Sequence, residues 1–197
     1  MILYLTIIFI AMILISIPNI LFCVGTIYSS ALVIITLVVI GVVFQFGIDA
    51  IFAVVVSKWL PDSWFTPNKK LYQVSKKEQL FYEKLGIKKW KDKVWELGGL
   101  GGFSKAKIND PANPAYFEQF MLESNKGIFV HIAGMIAGFS YMLLLPGKMS
   151  IYIALPICMV NLFLNILPIC ILRYNIPKLQ VAQKRAIRNI EHAKTQI

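Results

Sequence analysis

Long apolar runs alternate with two charged stretches along this chain. The first 56 residues contain one charged or histidine side chain, Asp49, and residues 128–172 contain two, His131 and Lys148. A helix needs about 20 apolar residues to cross a hydrocarbon core of about 30 Å, and no segment shows the alternation of a membrane-barrel strand. The pattern predicts an all-α polytopic membrane protein with about four transmembrane helices. One membrane domain, 1–197, is expected, with spans at 2–24, 31–59, 127–145 and 151–172.

The charged residues define a loop at 60–126 and a basic tail at 173–197. From Ser57 to Lys126 there are thirteen Lys and eight acidic residues, and the tail holds three Arg and three Lys against Glu191, so each is net +5. Basic residues collect on the cytoplasmic side of spans. With four spans, the loop and both termini are expected to be cytoplasmic. Membrane lipids are therefore the expected partners of the +10 chain, and nucleic acid is not.

Local signals in the loop predict two short amphipathic helices at the membrane interface. Ser75 followed by Glu78 is a capping-box pattern, which begins a helix from Lys76 to Leu85 that Gly86 ends. Residues 88–97 can form a second helix, with charges paired at three- and four-residue spacings and Trp90 on another face. A basic helix that carries tryptophan is typical of the headgroup region.

Two further helices are expected nearer the spans. Pro114 suits the first position of a helix that runs from about Ala115 into the third span. The tail from Pro177 to Lys194 is expected to form one more helix.

His131 is the histidine nearest a predicted membrane boundary. It could act as a general base that removes a proton from a hydroxyl, or it could be an interfacial histidine bonded to a carbonyl or a headgroup. Glu123 lies eight residues earlier on the same predicted helix, about 80° away around its axis and about 12 Å along it. The two side chains therefore need another element to meet.

Asp49 and Arg173 each have two interpretations. A carboxylate within a span indicates function by default, but Asp49 could also be a hydrogen-bonded packing group, with Gln45 one turn earlier. Arg173 could bind a phosphate or carboxylate, or it could mark the cytoplasmic end of the fourth span, where Asn161 and Asn165 lie a few turns deeper.

The remaining candidates for bound groups are weak. The three cysteines lie inside predicted spans without metal-ligand spacing, and the chain has two histidines. No metal and no tightly bound cofactor are expected. The glycine cluster at 98–102 lacks the Lys-Ser/Thr ending of a phosphate-binding loop, so a hinge is the more common interpretation.

Several motifs together resemble one family. They are residues 81–93 (FYEKLGIKKWKDK), residues 102–105 (GFSK), Glu123 with His131, and residues 173–175 (RYN) before the basic tail. This set resembles the glycosyl-4,4'-diaponeurosporenoate acyltransferase family, small bacterial membrane proteins that place a fatty acyl group on the sugar of a carotenoid glycoside. Val94-Trp95 and Leu172 depart from the family pattern, which is consistent with a divergent member that has a different acceptor.

The resemblance implies roles for named residues. The acceptor would be a hydroxyl of a lipid-linked sugar in the cell membrane, and acyl-CoA or another acyl lipid would be the donor. His131 would be the catalytic base, oriented by Glu123 or Asp92, and transfer would be direct. The residues expected to bind substrate are Trp90, Lys91, Phe103, Lys105, Arg173, Asn175 and Asp49.

A non-enzymatic function is the alternative. A small four-helix membrane protein could bind anionic lipid or support a membrane assembly, in which case Lys88, Lys89 and Lys91 would matter by charge alone. The enzyme hypothesis predicts instead that Trp90 and His131 are sensitive to substitution. Self-association is left open by the sequence.

Overall fold

The protein is helical throughout the part that a computed structural model describes, residues 2–94 and 109–195. No strand occurs within these two ranges, which confirms the all-α prediction. The α-helices are α1 (Ile2–Cys23), α2 (Ala31–Lys58), α3 (Lys76–Lys84), α4 (Ile87–Trp90), α5 (Pro114–Ala137), α6 (Tyr141–Leu144) and α7 (Leu155–Thr195). Short 3-10 turns at Asp62–Trp64, Lys70–Tyr72, Lys91–Lys93 and Gly138–Ser140, and a π turn at Ser150–Ala154, complete the described elements.

Four helical stretches are long and apolar enough to cross a membrane. They are Leu3–Cys23, Ala31–Lys58, Pro114–Leu144 and Ser150–Thr195. The third begins at Pro114, which confirms the helix predicted to run from the loop into that span. The side of the membrane on which the termini lie stays a prediction.

The residues cluster into two compact units. The first unit comprises Met1–Val54 and Val130–Leu167, and the second comprises Val55–Phe129 and Pro168–Ile197. In the first unit, the buried side chains of Ile34, Val38 and Tyr141 form part of one apolar core. The Tyr141 hydroxyl donates to the Leu37 carbonyl at 2.7 Å, so this core also has an internal hydrogen bond.

The loop segment of the second unit is held to α5 by polar and aromatic contacts. Asn125 Nδ2 donates to the Phe65 carbonyl at 2.8 Å, and the Phe65 ring meets Phe129 edge-on at 5.6 Å. Lys126 Nζ lies 2.8 Å from Asp62 Oδ1. The residues that follow the second span are therefore ordered by side chains of the third.

The predicted ends of α3 are confirmed. Ser75 Oγ accepts from the Glu78 backbone N–H at 3.2 Å. After the helix, Gly86 has a φ of 62°, a left-handed conformation that glycine adopts at low cost. Local capping chemistry thus defines this helix.

The continuous helix predicted over residues 88–97 is wrong in its described part. The α-helix ends at Trp90, a 3-10 turn covers Lys91–Lys93, and Val94 is extended and buried. Burial of Val94 explains the change, because it removes an apolar side chain from the exposed face. Residues 95–97 lie outside the described residues.

The helix predicted over the tail from Pro177 to Lys194 is confirmed, and the structure adds that it is continuous with the helix of the fourth span. Helix α7 continues through Pro168 and Pro177. A proline leaves the carbonyl four residues earlier without its helical N–H donor. The Tyr4 hydroxyl donates to that carbonyl of Leu164 at 2.8 Å, which replaces the bond that Pro168 cannot make.

Candidate functional site

Polar residues from three helices of the first unit meet in one cluster, here called the polar seam. Within each helical segment, successive members of the seam are three or four residues apart, which places them on one helix face. The seam consists of Gln45 and Asp49 of α2, His131 with Gly134 of α5, Gly138 after α5, and Asn161 and Asn165 of α7.

His131 is oriented by an amide. Its Nδ1 lies 2.8 Å from Asn165 Oδ1. An amide oxygen can only accept a hydrogen bond, so Nδ1 must carry the proton in this contact. In the neutral imidazole, Nε2 is then left with its lone pair.

The orientation of the Asn165 amide is fixed by acceptors around its nitrogen. Asn165 Nδ2 donates to Asn161 Oδ1 at 2.9 Å and to the Asn161 carbonyl at 3.1 Å, and it lies 3.4 Å from Asp49 Oδ2. All three neighbours are oxygens, which would repel the amide oxygen if the group were flipped. A chain of contacts therefore runs from Asp49 through Asn165 to His131.

Glycines allow the helices of the seam to approach closely. A Cβ at Gly134 would overlap Asp49 Oδ1, and a Cβ at Gly138 would overlap both Gln45 and Asn161. The backbone is used as well, because Gln45 Nε2 donates to the Gly138 carbonyl at 3.1 Å. Side chains at either glycine position would displace the amide and carboxylate groups.

Two buried oxygens of the seam have unused acceptor capacity. Within the described residues, Asp49 Oδ1 and Gln45 Oε1 have no hydrogen-bond partner. Buried polar atoms are normally paired. These oxygens can therefore accept from a water molecule or from a hydroxyl of a ligand.

Arg173 binds protein groups in the second unit. Its Nε and Nη2 donate to Glu78 at 2.5 and 3.0 Å, and its other contacts are the Leu71 carbonyl at 2.6 Å and the Gln73 carbonyl at 3.0 Å. These bonds use four of the five N–H groups of a guanidinium. Arg173 therefore clamps the segment before α3, and its role in binding substrate stays a prediction, as does that of the half-buried Asn175.

The same clamp shifts the ionisation of its neighbours. The hydrogen bond from Arg173 lowers the pKa of Glu78. Burial, followed by the hydrogen bond to Glu78, raises the pKa of the Tyr82 hydroxyl, whose oxygen lies 2.6 Å from Glu78 Oε1. The sequence signal for Glu78 was the capping box, which revealed its backbone contact and not its ion pair.

The other predicted site residues of the second unit have local partners. Glu123 binds Lys126 at 3.0 Å and Gln119 at 3.1 Å. Trp90 Nε1 donates to the Leu85 carbonyl at 3.2 Å, and Lys91 lies 3.9 Å from the exposed Asp92. The orientation of His131 by Glu123 or Asp92 stays a prediction.

Phe103, Lys105 and the glycine cluster at 98–102 lie outside the described residues. The substrate-binding roles expected for the two side chains therefore stay predictions. Among the residues that are described, no group of three or more His, Cys, Asp or Glu side chains could hold a metal ion.

Comparison with known proteins identifies the family of this chain. The model of the glycosyl-4,4'-diaponeurosporenoate acyltransferase (CrtO) family matches residues 61–185, which is more than half of the chain. The chain belongs to this family. The resemblance seen in the loop and tail motifs is confirmed, and an acyltransferase is the class of enzyme that the CrtO family name describes. Neither the curated proteins nor the solved structures give a match.

The part of the chain that matches the CrtO family model contains the seam residues of α5 and α7 but not those of α2. It includes His131, Asn161 and Asn165, whereas Gln45 and Asp49 precede it. Sequence reasoning named His131 and Asp49 separately but assigned Asn165 no role. The available signal was the shared four-residue spacing of Gln45–Asp49 and Asn161–Asn165, which places polar groups on one face of each span.

Proposed function

We propose that this CrtO-family protein transfers a fatty acyl group to a hydroxyl of a lipid-linked sugar, with a carotenoid glycoside as the first acceptor to test. The observation that carries the proposal is the contact between His131 Nδ1 and Asn165 Oδ1 at 2.8 Å. With the proton on Nδ1, Nε2 of His131 is the basic nitrogen of the ring, and it lies in an apolar helical unit of a protein from an acyltransferase family.

His131 is the base in this proposal, and Asn165 positions it. As the hydroxyl oxygen attacks the carbonyl carbon of an acyl thioester, its proton passes to His131 Nε2. The tetrahedral intermediate then collapses, the carbon–sulfur bond breaks, and the imidazolium returns the proton to the departing sulfur. The ester and a free thiol are the products, and no covalent acyl-enzyme is needed.

Asp49 has two parts in the proposed site. Its Oδ2 faces Asn165 Nδ2 at 3.4 Å and so helps to keep the amide oxygen turned toward His131. Its Oδ1 is an unused acceptor, which suits a hydroxyl of the acceptor sugar. Trp90, Lys91, Phe103 and Lys105 are proposed to bind the polar part of a substrate at the cytoplasmic face of the cell membrane.

Lipid mass spectrometry of a strain that lacks the gene tests this function. We expect the deletion to remove an acyl ester of a glycolipid and to leave the free glycoside, and the wild-type gene should restore the ester. Equal amounts of every acylated glycolipid with and without the gene would reject the transferase function. The alternative hypothesis, a non-enzymatic scaffold that binds anionic lipid, predicts such equal amounts.

A further inference from the structure

A groove of about 510 Å³ lies along α7 in the second unit. It combines an apolar floor with two cations, and its lining includes Phe117, Val181, Ala182, Ala186, Lys178 and Arg185. It shares no residue with the polar seam or with residues 88–94 around Trp90.

Small side chains create the floor of the groove. Ala182 and Ala186 are four residues apart and so occupy one face of α7. They pack with Phe117 and Leu179 in a cluster of buried apolar side chains, and Gln183 Nε2 donates to the Pro114 carbonyl at 3.3 Å. The groove is therefore a preformed depression on a packed pair of helices.

The cations stand on the same side of the helix at a wide separation. Lys178 and Arg185 are seven residues apart, which is about two turns and about 10.5 Å along the axis. Both are exposed, and Lys178 Nζ is held 3.3 Å from the centre of the Tyr174 ring. No Asp or Glu is among the described residues that line the groove, so its charge is uncompensated within the lining.

This spacing selects the kind of anion that fits. Because Lys178 Nζ is held at the Tyr174 ring, which lies one turn before Lys178, its charge is directed away from Arg185, and the pair suits phosphate groups at two positions better than one phosphate group. A nucleoside diphosphate with a further phosphate on its ribose presents phosphates at two separated positions. Arginine suits phosphate because its guanidinium donates in a planar fork, and the apolar floor beside Arg185 suits the uncharged arm that extends outward from the diphosphate of such a carrier.

We propose that the groove binds the phosphorylated nucleotide of the acyl donor, a thioester of the coenzyme A class. This inference rests on the proposed transferase function and gives the donor a site. Lys178 and Arg185 would each hold one phosphate position, and the thioester arm would leave along the floor formed by Ala182 and Ala186.

Titration calorimetry with free coenzyme A and the purified full-length protein in a nonionic detergent tests the site. We expect Arg185→Gln and Lys178→Gln each to weaken binding about 10- to 100-fold, as for loss of a charged hydrogen bond. Arg185→Lys should retain part of the affinity, and Ala182→Leu should weaken binding by filling the floor. Wild type should bind coenzyme A that lacks the ribose phosphate more weakly than it binds complete coenzyme A. One of the two Gln variants, the one that has lost the cation for that phosphate, should bind the two ligands almost equally.

Matched controls separate this site from general attraction to a basic protein. Lys184 and Arg188 are exposed cations of the same helix and do not line the groove. Their Gln variants should bind coenzyme A within about twofold of wild type, because exposed charges contribute little individually. Equal losses in the groove and control variants, or no binding to wild type, would overturn the proposal. Tight association of wild type with anionic lipid vesicles but not with coenzyme A would overturn it as well.

These measurements also distinguish a failure of the groove proposal from a failure of the proposed transferase function. Binding that depends on Arg185, in a protein that acylates no glycolipid, would uphold the groove and reject the transferase function. Acyl transfer at the wild-type rate by Arg185→Gln protein would keep the transferase function and reject the groove as the donor site.

Discussion

Replacing Gly134 by alanine should damage the polar seam. The new Cβ would overlap Asp49 Oδ1 and lie 3.2 Å from Asp49 Cγ. Overpacking of this kind costs about 1–3 kcal/mol, and the displaced Asp49–Asn165 contact about 1 kcal/mol more. Alanine recovers about 1 kcal/mol through its better helix propensity, so a net destabilisation of about 1–3 kcal/mol is expected.

Gly47→Ala is the matched control. It also lies in a helix of the first unit, and a Cβ there meets nothing within 4 Å. Helix propensity alone should make this variant up to about 1 kcal/mol more stable than wild type. The two variants should thus differ by about 2–4 kcal/mol.

Thermal unfolding of the detergent-purified variants measures this difference. At about 2 °C or more per kcal/mol, Gly134→Ala should have a Tm at least about 4 °C below that of Gly47→Ala. It should also lose acyl transfer, because Asp49 and Asn165 move. Equal Tm values with full activity in both variants would refute the close approach of α2 and α5 at the seam.

Two further predictions concern the partners of His131 and Arg173. Asn165→Leu should lower kcat about 10- to 100-fold, as expected when one buried hydrogen bond is lost, and leave KM within about twofold; steady-state kinetics that show only a raised KM would contradict a positioning role. Because Arg173 lowers the pKa of Glu78 in the folded protein, the ion pair contributes stability above the unfolded pKa of about 4.3 and loses it as pH falls through the folded pKa. The Tm difference between wild type and Glu78→Gln should therefore be present at pH 7 and shrink below about pH 4.3, and a difference independent of pH would contradict this assignment.

The helices and several of their ends could be predicted because local chemistry determines them. Apolar runs of sufficient length define the spans, and the Ser75 hydroxyl caps α3 with a contact only three residues away. Pro114 begins α5 as expected of a residue that has no N–H to satisfy. These features depend on neighbours in sequence.

The candidate site could be predicted only in part, because its contacts join distant residues. His131 and Asn165 are 34 positions apart, and Asp49 and Asn165 are 116 apart. Their meeting depends on how three helices pack, which hydropathy does not specify. For the same reason the ion pair between Arg173 and Glu78, which are 95 positions apart, could not be predicted from the sequence.

The rate of acyl transfer by His131→Ala protein tests the central claim most directly. His192, the second histidine of the chain, is exposed near the end of α7 and provides a matched control. With purified protein, acyl thioester and carotenoid glycoside, His131→Ala should be about 10²- to 10⁴-fold slower than wild type, as expected when a general base is lost. His192→Ala should keep the wild-type rate. A His131→Ala protein that acylates the glycoside as fast as wild type would contradict the assignment of His131 as the base.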